Sequence, residues 1–154
     1  MKLAIGSDHC GYKMKIELNE LLEELSSEIT DFGCFSTDPV DFPDIAKLVC
    51  CEVKSGRKDR GILFCGTGVG AAIASNKIPG IRAAVCHDVH SAHQAVEHDD
   101  VNVMCIGAQI VGPWLAKDLI HAFVSATFNT EEHFRRRVRK LELLEKEGMK
   151  ELGD

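Results

Sequence analysis

The sequence is informative first for what it lacks. No run among its 154 residues approaches the ~18 consecutive apolar residues of a membrane-spanning helix, and no signal-peptide pattern stands at its start. Positive charge is also scarce, because 18 Lys and Arg residues stand against 24 Asp and Glu residues and give a net charge of −6. An acidic chain offers no broad basic surface. We therefore expect neither a membrane nor a nucleic acid as its partner.

The seven cysteines lack the spacing of a metal site or a disulfide framework. No two of them form a C-x-x-C pair, and no zinc-ligand spacing occurs. Disulfide frameworks are typical of smaller, secreted, loop-rich chains. Several of these cysteines instead lie within apolar runs, as Cys86 and Cys105 do. The pattern predicts no metal site, reduced thiols packed in a core, and a cytoplasmic protein.

What the sequence does contain is an alternation of strand and helix patterns. Hydrophobic residues make up 45% of the chain and charged residues 27%, which suits one domain with a substantial core. Five short apolar segments are predicted strands, at residues 2–6, 28–32, 61–64, 82–85 and 103–106. Helical periodicity separates them, at residues 12–25, 45–53, 69–77, 87–98 and 113–126. This alternation predicts a single α/β domain at residues 1–128: a three-layer, doubly wound, Rossmann-like sheet of five parallel strands with helices on both faces.

Residues 129–154 form a different kind of segment, which we call the arm. Residues 131–149 are strongly helical and highly charged, and their apolar side chains form only a sparse stripe. The stripe consists of Phe134, Val138, Leu141, Leu144 and Met149. A stripe this narrow suits either a solvated helix on its own subunit or an arm packed across a partner chain. The second alternative predicts a homo-oligomer, a dimer or a tetramer, in which the arm brings arginines to the partner's site.

The most distinctive segment surrounds Cys65. An apolar strand leads into this cysteine, and glycine then occupies every second position, at Gly66, Gly68 and Gly70. Glycine lets backbone N–H groups turn toward an anion, and the start of the next predicted helix adds partial positive charge. The segment therefore predicts an anion hole beside a thiol that ionises more easily than a free one.

Other interpretations of the same segment compete with this one. A single cysteine that ends a buried strand is most often a core residue. Gly66, Gly68 and Ala71 also match the dinucleotide-binding pattern G-x-G-x-x-A, which is a weak signal alone. Phosphatases of the thiolate type need an arginine six residues after the cysteine, and Ala71 at that place argues against them. The core cysteine and the dinucleotide site stay open on the residues alone.

Five motifs follow one another along the chain in a specific order. They are Ser7-Asp8-His9-x-Gly11, Val40-Asp41-Phe42-Pro43-Asp44, Cys65-Gly66-Thr67-Gly68-Val69-Gly70, Asn76-Lys77-Ile78-Pro79-Gly80-Ile81-Arg82-Ala83 and Glu97-His98-x-x-x-Asn102-Val103. With them the chain resembles the type B ribose-5-phosphate isomerases from residue 2 to residue 145. The wider group to which these enzymes belong includes the galactose-6-phosphate isomerase subunits. A dinucleotide-binding glycine pattern normally follows the first strand rather than the third, so the resemblance displaces that interpretation.

The resemblance implies an aldose–ketose isomerase that needs neither a metal nor an organic cofactor. Its reaction interconverts ribose 5-phosphate and ribulose 5-phosphate through a cis-enediolate. Carried over to this chain, Cys65 is the base that takes the C2 proton, and His98 protonates the ring oxygen during ring opening. Thr67 and the backbone N–H groups of residues 66–70 hold the enediolate oxygens, in the manner of an oxyanion hole.

The resemblance also implies a set of substrate-binding residues. Asp8 orients the sugar, His9 contributes to the phosphate site, and the arm supplies Arg137 together with His133. Without the motif, His98 would be interpreted as a surface histidine at the end of a helix, where a positive charge is favoured.

This chain departs from the family pattern at four positions around the substrate. Phe42 stands where tyrosine is common, and Asp99 stands where asparagine is usual. Gln109 and His133 each occupy a place where the family has arginine. The catalytic loop is intact whereas the residues around it are altered. The resemblance therefore supports the type of reaction more strongly than it supports a particular sugar substrate. An isomerase of a tetrose or hexose phosphate, or a non-catalytic sugar-phosphate-binding module on the same scaffold, are the alternatives.

Overall fold

The computed structural model describes residues 1–151, so the last three residues of the predicted arm, 152–154, lie outside the described residues. Strands and helices alternate along the described part of the chain. Their bounds are β1 (Lys2–Ser7), α1 (Tyr12–Glu17), α2 (Asn19–Leu25), β2 (Glu28–Asp31), α3 (Phe42–Lys54), β3 (Arg60–Cys65), α4 (Val69–Ser75), β4 (Ala83–Val85), α5 (Val89–Asp99), β5 (Val103–Gly107), α6 (Pro113–Ser125) and α7 (Glu132–Glu151).

The five strands form one parallel sheet in the order β2-β1-β3-β5-β4. The predicted doubly wound α/β fold is confirmed. In this order the chain moves from β1 outward to β2 and then returns to the other side of β1 to form β3. The helices that follow β1 and β3, α1 and α4, therefore lie on opposite faces of the sheet, and ligands of such sheets bind at this point, outside the carboxyl ends of the strands. We call the end of the sheet where the strands finish the carboxyl edge.

Each face of the sheet has its own apolar core because successive strand residues point to opposite faces. Ile62 and Phe64 of β3 are fully buried on one face, in the core that contains residues of α1, α2, α5 and α6. Leu63 and Cys65 point to the opposite core, which contains residues of α3 and α4. The alternation thus places Cys65 on the face covered by α3 and α4, at the last position of its strand.

The observed helix bounds differ from the predicted ones for local reasons. The predicted helix at residues 12–25 is divided at Leu18, whose ψ of 2° opens the turn while its side chain stays fully buried. Apolar periodicity continues across the division, so the sequence pattern does not reveal it. α3 begins at Phe42 because Pro43 fits the first turn of a helix. α5 begins after Asp88, whose carboxylate accepts a hydrogen bond from the backbone N–H of Ser91 at 2.7 Å.

The apolar stripe of the arm is divided between the chain's own core and solvent. Phe134 and Val138 are buried, and α7 contacts α5. These two residues of the stripe therefore pack on their own subunit. Leu141, Leu144 and Met149 are exposed, with Leu144 64% accessible. The exposed part of the stripe therefore lies in the second half of α7.

None of the helices within residues 1–151 combines the length and the apolar character that crossing a bilayer requires. The cysteines are all free, and Cys34, Cys50, Cys65, Cys86 and Cys105 are buried. Their free state agrees with the expectation of unpaired thiols, most of them in the core.

Candidate active site

The loops after β1 and β3 lie against each other at the carboxyl edge. The backbone N–H of Asp8 donates a hydrogen bond to the carbonyl of Phe64 at 3.1 Å. Gly11 packs directly on the backbone of Phe64, where a Cβ atom would find no room. Asp8 also turns its own loop inward, because its Oδ1 accepts the N–H of Gly11 at 2.9 Å. This packing brings the Asp8 carboxylate next to the end of β3.

Cys65 and Asp8 form a buried pair of a thiol and a carboxylate. Both residues are only 7% exposed. Burial is the largest effect that raises the pKa of the Cys65 thiol, and the hydrogen bond to Asp8 and its negative charge raise it further. Backbone N–H groups of Gly68 and Ala71 hydrogen-bond the sulfur and act in the opposite direction.

The pKa of Cys65 lies above its ordinary value on balance. The prediction of an easily ionised thiol is therefore wrong. The N–H groups at the start of α4 on which that prediction rests are present and lower the pKa of the thiol. Burial and the carboxylate of Asp8, which the local sequence around Cys65 does not contain, raise the pKa by more.

Residues 65–70, which we call the glycine loop, need glycine for reasons of space. Gly68 has φ of +79°, in the left-handed region, and a Cβ atom there would lie 3.3 Å from the carbonyl oxygen of Cys105. Gly70 packs under the ring of Phe42, which would lie 2.9 Å from such an atom. Thr67 is exposed at the turn, and its Oγ1 accepts the N–H of Val69 at 3.3 Å.

The segment that follows β5 holds the glycine loop from the other side. The N–H of Ala108 donates to the carbonyl of Cys65 at 2.8 Å, and the N–H of Gln109 donates to the carbonyl of Gly66 at 3.0 Å. The side-chain amide of Gln109 lies over Gly66, and its Oε1 is 3.1 Å from where a Cβ atom on residue 66 would lie. One of the four unusual residues thus lies beside the predicted base.

Two histidines also belong to the carboxyl edge. His9 was predicted from the sequence, and its Nδ1 accepts the backbone N–H of Val40 at 3.3 Å, which leaves Nε2 free of that contact. His87 received no role in the sequence analysis. Its Nε2 accepts the backbone N–H of Gly107 at 3.0 Å. The available signal was its place immediately after β4, since loops at that end of a parallel sheet line the ligand crevice.

The other predicted site residues lie at the opposite end of the sheet. His98 and Asp99 end α5, which runs back against the strands and spans 11 residues. At a rise of roughly 1.5 Å per residue, its last turn is about 16 Å from its start at the carboxyl edge. Within one chain the structure therefore does not bring His98 and Asp99 together with Cys65.

His98 instead meets the arm around the buried ring of Phe134. The ring centre of Phe134 lies 4.5 Å from that of His98 and 3.9 Å from that of His133. The guanidinium of Arg137 lies 5.9 Å from the same ring. We call His98, Asp99, His133 and Arg137 the α5–α7 cluster.

The α5–α7 cluster carries positive charge that faces solvent. Arg135 and Arg139 both form ion pairs with Glu132, at 3.5 and 3.3 Å. Arg137 is exposed, and no ion pair holds it among residues 1–151. Its guanidinium is therefore available to an anion such as a phosphate, for which arginine has matching donors.

A cavity near this cluster does not suit a sugar phosphate. It has a volume of about 310 Å³ and lies between α7 and residues 76–83. Asp99, Glu142 and Glu145 line it, together with Arg82. Three carboxylates against one guanidinium make it unfavourable for an anionic substrate.

Known proteins resemble this chain over most of its length. A family model described as Ribose/Galactose Isomerase matches residues 3–141. The Ribose-5-P isomerase B of Listeria innocua is 47% identical over 129 residues, which are 84% of this chain and 87% of the relative. The D-erythrulose-4-phosphate isomerase of Pectobacterium atrosepticum is 38% identical over 130 residues, 83% of this chain and 85% of the relative.

A solved structure shows the same likeness in three dimensions. The Ribose-5-Phosphate Isomerase B of Clostridium thermocellum matches with a TM-score of 0.92 and 44% sequence identity, and the match covers 96% of this chain and 99% of that one. With the sheet order, the glycine loop and the buried Cys65–Asp8 pair already in place, these matches show that the chain belongs to the ribose/galactose isomerase family.

Proposed function

We propose that this protein is an aldose–ketose isomerase that interconverts ribose 5-phosphate and ribulose 5-phosphate through an enediolate, without a cofactor. The observation that carries the proposal is the Cys65 thiol, buried at the carboxyl edge between the Asp8 carboxylate and the N–H groups of the glycine loop. A module that only binds sugar phosphates has no need of a thiol in that position. The names of relatives at 42–47% identity support ribose 5-phosphate as the sugar.

Cys65 acts as the base of the proton transfer. Its thiolate takes the proton from C2 of the open-chain aldose, the electron pair forms the C1–C2 double bond, and the negative charge moves to the oxygen on C1. Backbone N–H groups of residues 66–70 and the hydroxyl of Thr67 stabilise that charge, which develops only as the proton leaves. The hydroxyl proton then passes from the oxygen on C2 to the oxygen on C1, and return of the first proton to C1 yields the ketose with its carbonyl at C2.

The raised pKa of Cys65 adds a condition to this mechanism. The raised pKa favours the thiol form, so Cys65 must lose a proton before it can act as a base. The carboxylate of Asp8, which accepts the hydrogen bond of the thiol, is placed to take that proton. We expect kcat/KM to rise with pH, because kcat/KM follows the ionisation of the free enzyme.

The second half of the site comes from another copy of the chain. The α5–α7 cluster is separated from its own Cys65 by the length of α5. A homo-oligomer, at least a dimer, brings His98 and Asp99 to the partner's glycine loop for ring opening and sugar binding. It brings His133 and Arg137 there for the phosphate. The exposed Leu141 and Leu144 of α7 offer an apolar surface for this association.

The test is complementation between two inactive variants. Cys65→Ala removes the base and His98→Asn removes the acid for ring opening. In a mixed dimer one site carries both changes and the other carries neither, so an equal mixture of subunits should recover about a quarter of wild-type activity. The matched control mixes Cys65→Ala with the double variant, which leaves no intact site. Recovery in the first mixture alone supports the shared site, and equal failure of both mixtures contradicts it.

A second candidate substrate is a tetrose phosphate. Two relatives, at 38% and 35% identity, are named as D-erythrulose-4-phosphate isomerases. Asp99 and His133 in the α5–α7 cluster, and Gln109 over the glycine loop, differ from the residues usual in the family at these places. Coupled assays over a panel of tetrose, pentose and hexose phosphates decide the matter, and the sugar with the highest kcat/KM identifies the substrate.

We also place the enzyme in the cytoplasm. All seven cysteines are free, and a catalytic thiol persists best in a reducing compartment.

A further inference from the structure

His87 is a side chain at the carboxyl edge that the proposed mechanism does not use. Its Nε2 accepts the backbone N–H of Gly107 at 3.0 Å. Gly107 is the last residue of β5 and pairs with Cys65 in the register of the sheet. The imidazole therefore fixes the peptide that lies directly beside the base.

The peptide held by His87 is in tight contact with the glycine loop. A Cβ atom on Gly107 would lie 2.7 Å from the carbonyl oxygen of Thr67 and 2.8 Å from Nε2 of His87. A Cβ atom on Gly68 would lie 3.3 Å from the nitrogen of Gly107. The backbones of Thr67, Gly68 and Gly107 thus leave no free space between them. A tilt of the Gly107 peptide would displace the loop whose N–H groups face the sulfur.

We propose that His87 is a positioning residue of the isomerase. Its neutral imidazole holds the Gly107 peptide against Thr67 and Gly68, and so keeps the N–H groups of the glycine loop aimed at the enediolate. The role rests on the proposed function, since it acts through the oxyanion hole of that reaction.

The contact depends on the protonation state of the imidazole. Nε2 accepts a hydrogen bond only while it carries no proton, and both ring nitrogens of a protonated histidine are donors. Protonation of His87 would set an N–H group against the N–H of Gly107 and break the contact. Acid should therefore loosen the glycine loop.

The charged neighbours of His87 do not replace it in this role. Asp88 follows it in the chain, but the Asp88 carboxylate is engaged with the N–H of Ser91 and faces His90 at the start of α5. Cys86 precedes it, and burial followed by the charge of Asp88 raises the pKa of this thiol to about 11. Residues 66–70 and 107–112, which meet His87 through Thr67 and Gly107, include no ionisable side chain.

Two substitutions of His87 separate the effect of losing the hydrogen-bond acceptor from the effect of protonating it. In His87→Gln the side-chain carbonyl accepts the N–H of Gly107 at every pH, whereas His87→Leu offers no acceptor. We expect His87→Leu to lower kcat about tenfold with little change of KM, the pattern of an interaction that matters in the transition state. His87→Gln should keep kcat within about twofold of wild type near pH 8 and lose less activity in acid than wild type does. The control is His121→Leu, which removes an exposed histidine of α6.

A direct readout of the contact does not depend on activity. In ¹⁵N-labelled protein, a coupling across the hydrogen bond should join the nitrogen of Gly107 to Nε2 of His87 near pH 8 and disappear on acidification. Absence of the coupling, or a kcat of His87→Leu within about twofold of wild type, overturns the proposal. If His87→Leu does not fold, the test uses His87→Gln alone. The proposal is then overturned if the kcat of His87→Gln falls at low pH as much as the kcat of the wild type does. A wild type inactive on every aldose phosphate would contradict the proposed function instead, while the coupling still reports on the contact.

Discussion

The two halves of the candidate site are built in opposite ways. At the carboxyl edge, the base and its partner Asp8 are each 7% exposed, and the surrounding backbone is so close that glycine is required. In the α5–α7 cluster, the side chain of His98 is 34% exposed and Arg137 projects into solvent from one turn beyond the buried Phe134. One half is rigid backbone around one reactive atom, and the other is a set of long side chains on a helix surface.

This difference indicates that the carboxyl edge stabilises the transition state and that the α5–α7 cluster binds the phosphate. Dipoles that stabilise a developing charge must be fixed before the reaction, and closely packed backbone N–H groups are fixed in this way. Binding a phosphate tolerates side chains that become ordered only when the anion arrives. We therefore expect substitutions at the carboxyl edge to act on kcat and substitutions in the α5–α7 cluster to act on KM.

The largest expected effect is that of Cys65→Ala. Loss of a positioned acid–base group should lower kcat by roughly 10²–10⁴. KM should change little, because the other contacts to the sugar remain. Steady-state kinetics with ribose 5-phosphate measure both constants. The control is Cys51→Ala, which removes an exposed thiol of α3. A kcat for Cys65→Ala equal to that of Cys51→Ala would remove Cys65 from the mechanism.

The next largest effect is expected for Arg137→Ala. A charged hydrogen bond contributes about 1.5–3 kcal/mol, so KM should rise roughly 10- to 100-fold while kcat stays nearly constant. Arg139→Ala is the matched control on the same helix, because Arg139 pairs with Glu132. Equal effects of the two substitutions would mean that the phosphate responds to the general charge of α7 and not to Arg137.

The fold and the carboxyl edge could be predicted because their signals are local. Apolar strands, the turns that follow them and the glycines of the loop each act over a few residues, so alternation alone indicates where the strands end. Cys65, Thr67 and Asp8 lie at the ends of two neighbouring strands, so the alternation alone predicts that they share one edge. The pKa of Cys65 was predicted wrongly because its partner Asp8 comes from another strand.

The α5–α7 cluster was harder to predict because it depends on tertiary contacts. The sequence contains the motif around His98, but a motif does not say at which end of the sheet it lies. The antiparallel course of α5 against the strands decides that. Likewise, the burial of Phe134 requires the end of α5 beside it, and the helical stripe alone does not reveal this contact.

A smaller effect is expected for Asp8→Asn, which tests how the carboxyl edge sets the ionisation of Cys65. The Asp8 charge and its hydrogen bond both raise the pKa of the thiol, so their removal should lower it. Alkylation of Cys65 near pH 7 should then become about tenfold faster, since the thiolate is the nucleophile. Mass spectrometry of the peptide that contains Cys65 measures the rate as a function of pH.

The matched control for this experiment is Asp88→Asn. Asp88 raises the pKa of Cys86, and an asparagine there still caps α5. This substitution should leave the alkylation profile of Cys65 unchanged. If Asp8→Asn slows the alkylation of Cys65, or both substitutions shift it equally, Asp8 is not the group that keeps the thiol protonated.

The smallest expected effect is that of His133 on KM. Its dependence on pH is opposite in direction to the effect of the substrate's own titration. The ring of His133 packs at a tilt against Phe134, and its Nδ1 lies 3.6 Å from the carboxylate of Glu131. A protonated imidazole there attracts the phosphate, whereas a neutral imidazole does not. As pH rises through about 6 the phosphate gains negative charge, which by itself would tighten binding to Arg137.

Loss of the proton on His133 at high pH removes its attraction for the phosphate, so we expect the KM of the wild type to rise a few-fold toward high pH, against the trend of the substrate. The arginine of His133→Arg keeps its positive charge at every pH of the experiment. This variant should therefore have a lower KM than the wild type, and its KM should not rise with pH. A common pH profile for the two proteins would show that His133 does not contact the phosphate. Arg137 would then be the one cation of the cluster, among the residues described, that we assign to the phosphate.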